Sequence, residues 1–284
     1  MIHPKHLHPS RHVFHGHASG VAAHIRRPKD DMVKVHGSVT LPVIGGHCES
    51  KVKAKKNKWF SFKAASTTAH GDYVKKAEGV ATTRGKLPFH KAATETTVSA
   101  RVRGLVILGR VSIADLSLGL ISRSARGTAQ PPIQLEGNRI DGVSIDGHKL
   151  KVTLAEDFYT KHDTKDKLRT AHKKGLPEHH ARMFLPHKEG LEKVTSFPEA
   201  SNGVVKCTIV QSLDWVGKPH PTAKIYGHVV ELPDFGKIYF GEMLVKGDSR
   251  RLSLVRCQLG SPVGGELICC DGESNGSTLP PTGG

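Results

Sequence analysis

The chain has 284 residues, 37% hydrophobic and 24% charged, with a formal net charge of +16. That length supports a real hydrophobic core in one or two domains, and the composition excludes a disordered tail. The most apolar stretch, residues 104–121, is interrupted by Arg110 and Asp115, which excludes a spanning helix there.

The first 24 residues carry seven histidines, His3, His6, His8, His12, His15, His17 and His24, and read as a separate His-rich N-terminal segment. They hold no apolar leader run, which together with sparse cysteine use points to the cytoplasm. His15 and His17 flank Gly16, and on a strand that spacing puts both rings on one face. Imidazole suits a transition metal such as zinc, with His24 or His36 as further ligands. The competing reading is a solvated, tag-like terminus whose later histidines pack in a sheet, with no cofactor.

Strand-and-turn punctuation follows. Strands are expected at Met32–Leu41, Trp59–Tyr73, Thr94–Arg103, Leu105–Ser122 and Ile133–Leu154, the last broken near Gly147. The alternation is clearest after Thr94: Thr96, Val98, Ala100 and Val102 share one face, and Thr97, Ser99, Arg101 and Arg103 the other. One helix is expected within an excursion over residues 158–185. Asp163 or Thr164 caps it, Gly175 ends it, Pro177 prevents resumption, and a weaker helical pattern covers Glu178–Phe184. Its slight apolar content predicts a surface position. Strands return at Val204–Trp215, Ala223–Leu232, Lys237–Lys246, Leu252–Leu259 and Glu266–Cys270, with a hairpin turn at Gly247-Asp248-Ser249. Residues 25–271 thus form a single β domain, and residues 272–284 read as a flexible tail.

Charge is concentrated early: residues 1–103 hold 19 Lys and Arg against 6 Asp and Glu, and residues 104–284 hold 23 against 20. Such asymmetry favours an acidic partner. The run from Lys51 to Lys63 mixes cations with Trp59, Phe60 and Phe62, the pairing used by binders of single-stranded nucleic acid. Candidate polyanion contacts are Arg26, Arg27, Lys51, Lys53, Lys55, Lys56 and Lys58, with Trp59 as the stacking residue. The plainer reading is a charged loop leading into a strand whose aromatics enter the core.

Five cysteines without a CxxC spacing argue against a disulfide framework, and adjacent Cys269 and Cys270 should face opposite sides of a strand. No G-x-S-x-G elbow occurs, and no catalytic constellation is apparent.

Several phrases resemble a family of uncharacterised bacterial all-β proteins over His15–Ser277. Among them are His15-Gly16-His17-Ala18-Ser19-Gly20-Val21, Ala65-Ser66-Thr67-Thr68-Ala69-His70-Gly71-Asp72-Tyr73 and Phe235-Gly236-Lys237-Ile238-Tyr239-Phe240-Gly241-Glu242. The cadence Gly104-Leu105, Ala114-Asp115, Gly147-His148 is also similar to choice-of-anchor surface domains. Neither resemblance implies an activity, cofactor or catalytic residue.

The expected fold is all-β, a large sandwich or barrel of long antiparallel strands with one short surface helix. The expected function is a non-catalytic structural or binding module that self-assembles or docks a protein partner. The alternatives are sequence-nonspecific binding of nucleic acid or another polyanion, and a His-coordinated metal site.

Overall fold

A computed structural model of the chain describes residues 12–73, 94–124, 131–184, 197–247 and 249–278. Two antiparallel sheets stack face to face, and neither closes into a barrel. The first is built from β1 (His12–Ile25), β2 (Asp31–Thr40), β11 (Val205–Thr208), β13 (Lys224–Tyr226), β14 (Val229–Leu232), β15 (Gly236–Val245), β16 (Ser249–Leu259) and β17 (Gly265–Thr278). Its order is β13-β14-β15-β16-β17-β1-β2, with β11 against β15. The second contains β3 (Gly46–Lys56), β4 (Phe60–Tyr73), β5 (Thr94–Ile107), β6 (Val111–Ser124), β7 (Ile133–Leu135), β8 (Arg139–Asp141), β9 (Val143–Ile145), β10 (His148–Leu154) and β12 (Val210–Val216). It runs β12-β10-β9-β6-β5-β4-β3, with β7 and β8 against β6.

Most long strands carry a one-residue slip in their alternation. In β5 the buried positions are Thr96, Val98, Ala100 and Val102, then Leu105 and Ile107. In β6 they pass from Ile113 to Leu116, in β4 from Phe62 to Ala65, and in β16 from Leu254 to Val255. The slips are aligned across each sheet. Extending the register puts Gly37, Gly20, Cys270, Leu254 and Gly241 on one row of the first sheet. Ala54, Lys63, Gly104, Ala114 and Gly142 form the matching row of the second. On alternate strands the row residue is left-handed: Gly37, Cys270 and Gly241 have φ of 66°, 50° and 61°, and Gly104 and Gly142 have 61° and 63°. Each turns the chain by one residue without breaking the ladder, as a bulge does.

This row corrects two expectations. Gly104 does not separate strands; β5 runs through it to Ile107, and the turn falls at Leu108–Arg110. Cys269 and Cys270 do not face opposite sides, because the left-handed Cys270 turns both inward, and both are buried.

Four further expectations change. The His-rich segment does not stand apart, since His12–Ile25 is β1, held between β17 and β2; His3, His6 and His8 lie outside the described residues. Residues 272–278 are not a loose tail but the end of β17, paired with β1 throughout and with β16 as far as Asn275. The basic run is not a loop: Lys51–Lys56 belong to β3, an edge strand. Finally, Ile133–Leu154 divides into β7 to β10, and Val204–Trp215 breaks at Ile209, whose N–H donates to Gly241 O on the bulge row.

The helical excursion contains three helices rather than one: α1 (Glu156–Lys161), α2 (Lys165–Lys173) and α3 (Glu178–Ala181), the last followed by a 3-10 turn at Arg182–Phe184. As expected, Thr164 caps α2 by accepting from Lys167 N, and Gly175 is left-handed. The excursion is not confined to the surface, however, because Phe158, Tyr159, Leu168, Met183 and Phe184 are buried. It bridges the sheets at one side of the sandwich. Ile133 N donates to Asp163 O from the second sheet, while Tyr159 Oη donates to Thr208 O and Arg250 Nη2 to His162 O on the first.

Candidate functional site

The strand period decides which charges reach each outer face. On the second sheet, β3 is opposed to β4 as Lys51↔Ser66 and Lys53↔Ala64, and β4 to β5 as Ser66↔Arg101 and Ala64↔Arg103. Lys51, Lys53, Lys63, Arg101 and Arg103 are all exposed on this face, and Arg139 joins them from β8. The residues between are small: Ser61, Ala64, Ser66, Thr68, Ser99 and Ser117. Glu49 pairs with Lys51 at 2.6 Å. Asp115 accepts both nitrogens of an Arg101 fork at 2.9 Å and Arg139 Nη2 at 2.6 Å. The Arg101 hydrogen bonds hold the Asp115 carboxyl below its ordinary range, against its partial burial. Lys53, Lys63 and Arg103 have no ion pair among the described residues.

The predicted polyanion contacts divide into three groups. Lys51, Lys53 and Lys56 belong to the outer face. Lys55 lies on the inward side of β3 at the sandwich edge, where burial and the charges of Lys55 and Lys34 depress the His36 imidazole. Arg26 and Arg27 sit in the β1–β2 turn, and Lys58 reaches Asp31 at that same end. Trp59 offers no face for stacking: it is 6% exposed, its Nε1 donates to Asp31 at 3.0 Å, and Lys58 Nζ covers the ring at 4.3 Å. Arg101, Arg103 and Lys63 were absent from the sequence-based set, because only strand pairing brings them beside Lys51 and Lys53.

The outer face of the first sheet is organised around carboxylates. His15 and His17 do share that face, with ring centroids 5.9 Å apart. Glu273 stands opposite His17 on β17. One ligand atom from each of His15, His17 and Glu273 lies within 4.8 Å of the others. His24 and His36 do not join them: His24 contacts Asp30 at 2.8 Å, and His36 packs edge-on to Phe60 and Phe62.

Behind the trio, Asp271 Oδ2 lies 3.7 Å from His17 Nε2. Its carboxylate also accepts from Arg251 at 3.1 and 2.9 Å and from Ser253 Oγ at 2.6 Å. Burial alone would raise Asp271, but the nearby His17 imidazole and the hydrogen bonds from Arg251 and Ser253 keep it below its ordinary range. Arg251 and Ser253 also line a cleft of about 760 Å³ with His228, Tyr239, Glu242 and Arg256. There Arg256 forks onto Glu242 and lies 3.8 Å over the Tyr239 ring. Glu273 and Asp271 could not be anticipated while residues beyond Cys270 read as tail or turn.

The fold and its surfaces define a two-sheet antiparallel β protein, one outer face basic and the other built on histidines and carboxylates. The chain belongs to the family of the domain of unknown function DUF8256, whose profile matches residues 12–246. That match stops before β16 and β17, although these strands stand between β15 and β1. No curated protein and no solved structure matches the chain.

Proposed function

We propose that this protein is a non-catalytic binding module that holds the phosphodiester backbone of nucleic acid, without reading sequence, on the outer face of the second sheet. The observation that carries this reading is the juxtaposition of Lys51, Lys53, Lys63, Arg101 and Arg103 on three adjacent strands. Cations recur every second residue, about 7 Å along a strand, and neighbouring strands are about 4.8 Å apart. A lattice of this kind, with serine, threonine and alanine between the charges, lets an extended polyanion approach the strands closely. With Trp59 buried, the reading is of phosphate contact and not of base stacking. The five unpaired cysteines support a reducing compartment such as the cytoplasm.

Fluorescence anisotropy of a labelled duplex, titrated across a salt series, tests the reading. Binding whose affinity falls with salt, and which Lys53→Glu with Arg103→Glu removes, supports it. Indifference to salt or to those substitutions rejects it.

A second reading, self-association through the β2 edge, is favoured by a separate observation. Met32 on β2 is 73% exposed, and Val43 and Ile44 in the β2–β3 connection are 61% and 66% exposed. An open edge strand beside exposed apolar residues is a template for a second copy of the chain. Light scattering in high salt distinguishes the two: a dimer that Met32→Lys with Ile44→Lys dissolves supports association, and a monomer at all concentrations refutes it.

A further inference from the structure

We propose that His15, His17 and Glu273 form a binding site for a first-row divalent transition metal, with open coordination positions facing solvent. The site is independent of the nucleic-acid reading, because it occupies the outer face of the other sheet. Two imidazoles and one carboxylate are a borderline donor set that suits zinc, cobalt or iron and is poor for calcium or magnesium. The three ligand atoms lie within 4.8 Å of one another. Tetrahedral zinc, with bonds of about 2.0–2.2 Å, holds its ligands about 3.4 Å apart. Small side-chain rotations close that gap without moving the backbone.

The backbone itself is well fixed. His15 and His17 lie on β1, which pairs on both sides with β17 and β2. Between them Gly16 faces inward so closely that a Cβ there would meet Val98 at 2.9 Å and Thr96 at 3.2 Å. Glu273 is set by direct pairing with His17 and, on its other side, with Arg251. Asp271, anchored by Arg251 and Ser253, lies 3.7 Å from His17 Nε2, the place of the outer carboxylate that usually orients a ligating histidine. Three protein ligands leave the remaining positions for water or an exogenous ligand, as in zinc sites that do not serve structure alone.

The test must remove the competing terminal histidines. The full chain carrying His3→Ala, His6→Ala and His8→Ala is titrated with zinc chloride by calorimetry, and then with cobalt, whose visible spectrum reports ligand geometry. The expectation is one tightly bound metal per chain. Loss of an outer-shell partner alone typically costs about 10–100-fold in affinity, so His15→Ala and Glu273→Gln should each cost about 100-fold or more. His47→Ala, from a cross-strand histidine pair with centroids 6.0 Å apart, should change nothing. If His15→Ala unfolds the strand, Glu273→Gln decides, with circular dichroism as the check on fold. Absence of zinc binding in the triple-alanine chain overturns the site, as does undiminished binding by Glu273→Gln.

Discussion

If the basic face binds phosphates, then removing one acidic group should strengthen binding more than its single charge suggests. Asp115 is 16% exposed and occupies two arginines at once, accepting from Arg101 at 2.9 Å and Arg139 at 2.6 Å. Asp115→Asn keeps the shape and one acceptor oxygen but removes the charge that holds both guanidinium groups. Arg139 retains Asp141 at 3.1 Å, so one or two cations become available. Each added phosphate contact steepens the dependence of log K on log salt by about 0.9, which at 0.1 M salt is about 8-fold in affinity. The expected gain is therefore about 8- to 60-fold, with the slope steeper by about 1–2. The stability lost is about 1 kcal/mol, as for other partly exposed pairs, too little to unfold the chain. Anisotropy across a salt series measures both quantities. Glu231→Gln, on the first sheet, changes net charge equally and should leave the slope as it was. An Asp115→Asn protein with unchanged affinity, or with tighter binding at an unchanged slope, would refute the reasoning.

Three other expectations concern the fold that carries these faces. Asn138 accepts from Gly119 N at 3.0 Å and donates to Gly119 O at 3.1 Å, a carbonyl that also accepts from Glu136 N, so Asn138→Ala strips its partner from one buried N–H and should cost about 1–3 kcal/mol in urea unfolding; no measurable loss would be inconsistent with the burial. Burial pushes Cys207 up to about 11 and Cys257 to about 12 and raises Cys269 and Cys270 as well, so at pH 8 a thiol reagent should label half-buried Cys48 alone until the chain unfolds. Fast labelling of a second thiol in the native state would contradict this. The Arg110 hydrogen bond, with help from His220, holds Asp146 below its ordinary 3.8 despite partial burial. A carboxyl depressed on folding adds stability above its unfolded pKa and loses it as pH falls through the folded one. The stability gap between the parent and Asp146→Asn, which tolerates the left-handed φ of 47°, should be full at neutral pH and close below pH 3.8. A gap independent of pH would show that the pair contributes nothing.

Much of the architecture could be read from local pattern. The Thr94–Arg103 alternation, the Thr164 cap and the Gly175 stop all rest on interactions within a few residues, and each appears as expected. What could not be read depends on pairing across long separations. Residues 272–278 look like loop because Gly, Ser and Asn dominate them, yet they pair with β1 along their length, and 272–275 lie between β1 and β16. There Gly272 leaves room for Leu118, and Ser274 Oγ donates to Thr96 O across the sandwich. Composition was overridden by tertiary fit. The same holds for the functional surfaces. Lys51 and Lys53 were visible as a run, but Arg101 and Arg103 join them only through β4, and Glu273 reaches His17 from 256 residues away.

The two outer faces also share a floor, and that sharing makes a further prediction. On the His15 side of the bulge row Gly16 and Gly272 of the first sheet lie directly against the second, where a Cβ would meet Val98 and Thr96 or Leu118. On the far side Phe60, Phe62, Leu105 and Ile107 fill the core. Gly16→Ala inserts a Cβ 2.9 Å from a buried Val98 methyl, and β1 must lift where His15 and His17 flank it. Overpacking of this kind costs about 1–3 kcal/mol. Because the displaced strand carries two of the three proposed ligands, zinc affinity should fall in the same variant. Binding of duplex nucleic acid, which relies on β3 to β5, should persist. Calorimetry and anisotropy on one preparation separate these effects. Parental zinc affinity in a destabilised Gly16→Ala protein would mean that β1 does not set the ligand geometry. Joint loss of both activities would mean that the displacement spreads across the core and that the faces cannot be perturbed separately.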